Sequence, residues 1–309
     1  MKVVFGVNSF KKPASGSVMT IGVFDGVHIG HAKLIQEVVR RARRNNLKSV
    51  VLTFEPHPVK VLRSRSYFPR LVSLSHRLKL IEKLGVDTVV VLNFTRSFSR
   101  ITPEEFVKKI ALGKLNCREI CVSPKFYFGR GGRAGVKELR KMAESNGIKV
   151  TVIPPVKVQG VTVGSSMIRR LVLKGDIHKA ARFLGRPVSI LGTIVSGSQL
   201  GRTLGYPTAN INPHHEVVPP SGVYAIRIKV GERIYRGVLN IGTRPTFYAP
   251  RDSEPTIEAH IFNFKGSIYG STAEVYFVDR IRNEVKYKDR LELVRQIKKD
   301  EALARNILS

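Results

Sequence analysis

Apolar and polar positions fall into two regimes along this chain. Up to about residue 185, near-continuous apolar runs alternate with segments of helical period. "SVMTIGVF" (17–24), "KSVVLTF" (48–54) and "DTVVVLNF" (87–94) read as strands, the last two of the kind buried on both faces. "REICVS" (118–123) and "KVTVIP" (149–154) read as further strands. Between 31 and 44, Leu34, Ile35, Val38, Val39 and Ala42 recur at helical spacing, with Lys33, Glu37, Arg40, Arg41 and Arg44 opposite. Helices also fit 74–84, stopped at Gly85, and 136–146. Thr102, Pro103 and Glu105 are spaced as an N-cap, a first helical position and the closing acid of a capping box. Strands alternating with helices predict an α/β domain built on a parallel sheet with right-handed crossovers.

After "AARFLGRP" (180–187) the pattern shortens. "SILGTIV", "VYAIRIKV", "RIYRGVLNIG", "TIEAHIFNF" and "AEVYFVDRI" are strand-length runs separated by Gly, Pro and Asn turns, the look of a small antiparallel β-barrel. A terminal helix fits 288–307, with Leu291, Leu293, Val294, Ile297 and Leu303 as its apolar residues. The expectation is two domains, 1–185 and 186–309, in line with about 150 residues each.

Composition adds a net charge of +30, from 53 Lys and Arg against 23 Asp and Glu. That favours anionic partners such as nucleotides and phosphates. The basic residues are spread along the chain with no aromatic-interleaved stripe, so a solvated basic surface is expected rather than nucleic-acid binding. No run approaches the roughly 18 apolar residues of a membrane span, and "MKVVFGVNSF" is too short and mixed for a secretory segment. No membrane partner and a cytoplasmic location are the expectations; self-association stays open. Cys117 and Cys121, four apart in a strand-like stretch, are expected to be reduced, partly buried thiols rather than zinc ligands.

Candidate chemistry concentrates at "IGVFDGVHIGH" (21–31). An apolar strand runs through Gly22, Phe24, Asp25 and Gly26 into a helix opened by His28, Gly30 and His31. Parallel sheets bind ligands at such carboxyl strand ends. Glycines there let backbone approach a ligand, and the helix N-terminus offers unpaired N–H groups to a phosphate. Two histidines add donors that could stabilise charge developing on phosphate oxygens. Downstream, Ser165 and Ser166 open a helical segment with Arg169 one turn on. Simple helix capping is the alternative for the serines, while arginine presents a planar fork suited to phosphate. In the second half, alternation puts Glu258 with Thr256 and His260 on one strand face, opposite Ile257, Ala259 and Ile261. No Walker loop is present.

"GVFDGVHIGH" resembles the G-x-F-D-G-x-H-x-G-H signature of nucleotidyltransferases, and more narrowly the bacterial bifunctional riboflavin kinase/FAD synthetases. "TFEPHP" (53–58), "TPEEFV" (102–107), "GSSMIRRLVLKGD" (164–176), "FLGRP" (183–187), "GRTLGYPTANI" (201–211), "LNIGTRPTF" (239–247) and "IEAHIFNF" (257–264) follow in the family's order. The resemblance implies a Rossmann-like FMN adenylyltransferase domain followed by a flavokinase barrel. It implies ATP as co-substrate, riboflavin and FMN as substrates, FMN and FAD as products, and Mg²⁺. The synthetase half would bind ATP with Gly22, Phe24, Asp25, Gly26, His28, His31, Ser165, Ser166 and Arg169, and FMN with His57 and Phe128. The kinase half would bind ATP with Gly201, Arg202, Gly205, Thr208 and Asn210. There Thr208 and Asn210 would act as Mg²⁺ ligands and Glu258 as general base.

The chain departs from the family at Lys125 and Val136, where aspartates are usual, and at "FKGSIYG", which lacks another. Two alternatives therefore stand beside the bifunctional enzyme: a riboflavin kinase with a weakened synthetase half, and a basic nucleic-acid-binding protein on this fold.

Overall fold

A computed structural model describes residues 1–63, 69–196, 205–242 and 255–309. The chain divides into two compact units, Met1–Phe68 with Leu74–Gly164, and Pro69–Ser73 with Ser165–Ser309.

The first unit is built on six parallel strands: β1 (Lys2–Phe5), β2 (Ser17–Ile21), β3 (Lys48–Glu55), β4 (Thr88–Asn93), β5 (Cys117–Val122) and β6 (Lys149–Val152). Their order is β1-β4-β3-β2-β5-β6. From β2 the chain winds outward through β3 to β4, then returns to the other flank of β2 for β5 and β6. The order reverses between β2 and β5, and that reversal marks the ligand-binding edge of such sheets. All five residues of β2 are buried, as its near-continuous apolar run requires. Helix α1 (Ile29–Arg44) buries Leu34, Ile35, Val38, Val39 and Ala42, the five positions the periodicity selects.

Further elements are α2 (Pro58–Leu62), α3 (Leu74–Glu82), α4 (Pro103–Glu105) and α5 (Val136–Glu144). The capping box forms: Thr102 Oγ1 accepts from the Glu105 N–H and Glu105 accepts from the Thr102 N–H, each at 3.1 Å. A π-helical segment, Phe106–Lys114, continues from it. β1 is only four residues long, too short to carry a period of its own, and is recruited beside β4. Cys117 and Cys121 lie buried in β5 as free thiols. Burial pushes the Cys121 thiol up to about 12 and Cys117 higher still, so neither ionises near neutrality.

After the short hairpin of β7 (Lys157–Val158) and β8 (Val161–Thr162), the second unit begins with α6 (Ser165–Lys174) and α7 (Ile177–Leu184). It then forms a closed antiparallel barrel of β9 (Ser189–Val195), β10 (Ala209–Asn212), β11 (Gly222–Val230), β12 (Arg233–Gly242), β13 (Thr256–Ile261) and β14 (Thr272–Arg282). Gly237 is required by the closeness of β12 and β13: a Cβ there would stand 2.4 Å from the His260 carbonyl oxygen. Arg186 of "FLGRP" is partly buried, and the desolvation of its guanidinium pulls it down to about 10 even with Glu274 and Glu216 nearby. Glu216 accepts from the Ser73 N–H at 2.7 Å and the Leu191 N–H at 3.0 Å, which ties Pro69–Ser73 into this unit.

The last helix, α8 (Arg290–Leu308), covers β11, β12 and β14. Its buried residues are Asp300, Ala304 and Leu308, whereas Leu291 and Leu303, expected on the apolar face, are exposed. The phase differs because the helix buries a carboxylate. Asp300 accepts from Arg282 Nε at 3.0 Å and Nη2 at 2.7 Å, a two-nitrogen clamp that offsets its desolvation. Among the described residues, no helix is long and apolar enough to cross a membrane.

Candidate functional sites

In the first unit, the turn between β2 and α1 sits at the reversal of strand order. Phe24, Asp25, Gly26, Val27 and His28 are all buried. Three of them hold left-handed backbone: Phe24 at φ 53°, Gly26 at 85° and Val27 at 38°. A β-branched residue there is strained, and such strain collects at functional turns. Gly22 and Gly30 make room for the turn's own rings. A Cβ on Gly22 would stand 3.1 Å from the Phe24 ring, and one on Gly30 would stand 3.2 Å from the His28 ring.

His28 caps α1, its Nδ1 accepting from the His31 N–H at 3.2 Å. Nδ1 therefore carries no proton, and Nε2 is left as the ring's donor. The His28 and His31 rings stack at 3.6 Å and 16°, and Phe24 meets His31 edge-on at 5.3 Å. The two imidazoles thus stand together at the positive end of a sixteen-residue helix.

Arg77 on α3 anchors this turn, a role no sequence signal revealed because its neighbours are residues distant in the chain. Only 2% exposed, it donates to the Val23 carbonyl at 2.6 Å, the Phe54 carbonyl at 3.0 Å and Glu55 at 3.1 Å. It joins the chain ends leaving β2 and β3. Arg77→Met is expected to lower FAD formation about 10²-fold, the scale of a 1 Å displacement at a reacting centre. Riboflavin phosphorylation should persist; equal loss of both in a coupled flavin assay would mean general unfolding instead.

His57 caps α2, Nδ1 accepting from the Val59 N–H at 3.1 Å. Phe128 is buried, stacked on Phe126 at 5.4 Å and edge-on to Phe106 at 5.6 Å, so the exposed ring of that loop is Tyr127. Lys125 is exposed, while Val136 opens α5 and packs against the sheet core. Val136 therefore serves packing. Ser165, Ser166 and Arg169 lie in the second unit, on the first turns of α6.

On the barrel, cross-strand register assembles the other constellation. Glu258 on β13 is directly opposite Asn210 on β10 and Asn240 on β12. Opposed residues share a face with Cβ atoms about 5 Å apart. Ile257 and Ala259, the alternate residues, are buried in the barrel, so Glu258 and both carboxamides face outward. Asn240 was absent from the sequence-derived set; only the register brings it to Glu258. Thr208 immediately precedes β10, and Gly205 takes φ 81°. Gly201 and Arg202 lie outside the described residues. Among the described residues, no group of three His, Cys, Asp or Glu could hold a metal. The Thr208 and Asn210 side chains nonetheless offer the hard, neutral oxygens magnesium takes when phosphate and water complete its shell.

Comparison with known proteins covers both halves. Residues 10–167 match the FAD synthetase family and residues 184–308 the riboflavin kinase family. The bifunctional riboflavin kinase/FMN adenylyltransferase of Bacillus subtilis is 35% identical over 292 residues, covering 94% of this chain and 92% of that one. The Escherichia coli K12 protein of the same name is 34% identical over 307 residues, covering 99% and 97%. A crystal structure of a Streptococcus pneumoniae protein named macrolide-efflux protein is similar with TM-score 0.87, at 30% identity over 99% of each chain. With matches of this extent, the strand-to-helix histidines and the Asn210–Glu258 pair sit in the two modules that define one family, and this chain belongs to the bifunctional riboflavin kinase/FMN adenylyltransferases.

Proposed function

We propose that this chain makes FAD from riboflavin in two steps, each consuming ATP, with residues 186–309 acting as the kinase and residues 1–185 as the adenylyltransferase. The observation that carries the proposal is the register that sets Glu258 opposite Asn210 on an outward barrel face.

In the first step Glu258 takes the proton of riboflavin's terminal ribityl hydroxyl as that oxygen attacks the γ-phosphorus of ATP. FMN forms and ADP leaves. Thr208 and Asn210 hold the nucleotide phosphates and would hold Mg²⁺, and Gly201, Arg202 and Gly205, just ahead of them in sequence, are assigned to ATP by motif. The ion, when bound, neutralises phosphate charge.

In the second step a phosphate oxygen of FMN attacks the α-phosphorus of ATP and the bond to pyrophosphate breaks. His28 and His31 neutralise charge on the phosphates from the start of α1, and Gly22, Phe24, Asp25 and Gly26 shape the nucleotide pocket. Ser165, Ser166 and Arg169 are assigned to the nucleotide phosphates by motif, and His57 and Phe128 to FMN. Their test is substitution one at a time, with FAD formation as readout.

Incubation with riboflavin, ATP and Mg²⁺ followed by flavin chromatography tests the whole. FAD is the expected product. FMN alone would reduce the assignment to a kinase, and unconverted riboflavin would overturn it.

A further inference from the structure

We propose that His260 is a positioning residue of the kinase site, holding the Pro207–Asn210 stretch in place beside Glu258. This rests on the kinase assignment above. The side chain stands on the same outward face of β13 as Glu258, two residues along, with Ile257, Ala259 and Ile261 buried on the other face. Its Nδ1 lies 2.9 Å from the Pro207 carbonyl oxygen. A carbonyl only accepts, so Nδ1 carries the proton and donates.

The place of that bond gives it consequence. Proline has no N–H, so the carbonyl is the one backbone polar group Pro207 can use. That carbonyl belongs to the same rigid peptide plane as the Thr208 nitrogen. Fixing the plane fixes the direction in which the chain enters Thr208. The register Asn210↔Glu258 and Ala209↔Ala259, carried one step further, sets Thr208 opposite His260. Thr208 and Asn210 are thus held at two successive outward positions, one by the imidazole and one by strand pairing.

Two aromatic rings contact the imidazole. Tyr206 meets it edge-on at 5.3 Å and Phe262 at 5.9 Å, and the Arg305 guanidinium lies 4.3 Å over Phe262. Gly237 admits the backbone of His260 close against β12. The donor is therefore preset before nucleotide arrives, and such presetting lowers the ordering cost of binding.

The test uses the full-length protein, with His260→Phe, which keeps a ring but not the donor, and His260→Asn, whose amide nitrogen falls where Nδ1 was. KM for MgATP and kcat are measured for riboflavin phosphorylation, and adenylylation of added FMN serves as the internal control. His260→Phe is expected to raise KM for MgATP about tenfold, the worth of one hydrogen bond, with a smaller change in kcat. His260→Asn should recover most of that loss, and adenylylation should stay at the parent rate in both. A His260→Phe enzyme with parental KM, or a His260→Asn enzyme no better than His260→Phe, would overturn the proposal. If His260→Phe does not fold, His260→Gln replaces it, since its amide reaches the Nε2 position instead. Glu258→Gln measured alongside separates the two levels: full kinase activity there would remove the site assignment itself.

Discussion

Glu258→Gln is expected to lower riboflavin phosphorylation by about 10²–10⁴-fold, the usual contribution of a general base, while added FMN is still converted to FAD. The substitution keeps the length and shape of the side chain while it removes the negative charge and the capacity to take a proton, exchanging one acceptor oxygen for an amide donor. Register holds the position: β13 is paired on both flanks, and Asn210 and Asn240 lie opposite Glu258 on the two neighbouring strands. The glutamine should therefore stand where the glutamate stood, and the barrel should fold unchanged. Two flavin measurements on one preparation decide the matter, FMN from riboflavin and FAD from supplied FMN. Phosphorylation within a few-fold of the parent would remove Glu258 from the chemistry. Loss of both activities would mean that the two reactions share a site, contrary to their placement in separate folding modules.

Much of this arrangement was legible in the sequence wherever one interaction dominated. The α1 face was readable because its five buried residues are all apolar and local in sequence. The capping box at Thr102 was readable because both partners lie within one turn. Glu258 could be placed on an outward face from alternation alone, since each strand residue reverses side.

Features set by distant partners were not readable. Asn240 becomes a neighbour of Glu258 only through the β12–β13 register, and Arg77 matters only because α3 returns to the ends of β2 and β3. The phase of α8 was misread for a related reason. Asp300 looks like a solvent residue until Arg282, eighteen positions away, is seen to hold it. In each case tertiary contact, not local propensity, fixed the outcome.

His28 and His31 permit a sharper experiment on the other half, because backbone and ring do different work there. The cap bond joins the His28 ring to the His31 backbone N–H, so His31→Ala leaves it in place. His28→Asn also keeps a capping acceptor, asparagine being among the best N-cap residues. Both variants should retain α1, because the capping acceptor is kept in each. What each removes is an imidazole from the stacked pair, and with it a donor fixed at the helix N-terminus. Loss of one preset donor to developing phosphate charge costs about 10²–10³-fold. FAD formation from FMN is expected to fall on that scale in either variant, and FMN formation from riboflavin to stay at the parent level. If the two stacked rings act on one phosphate group, the double variant should cost less than the product of the singles. Full additivity would place them at separate phosphates, and unchanged FAD formation in both single variants would take the adenylyl-transfer site away from this turn.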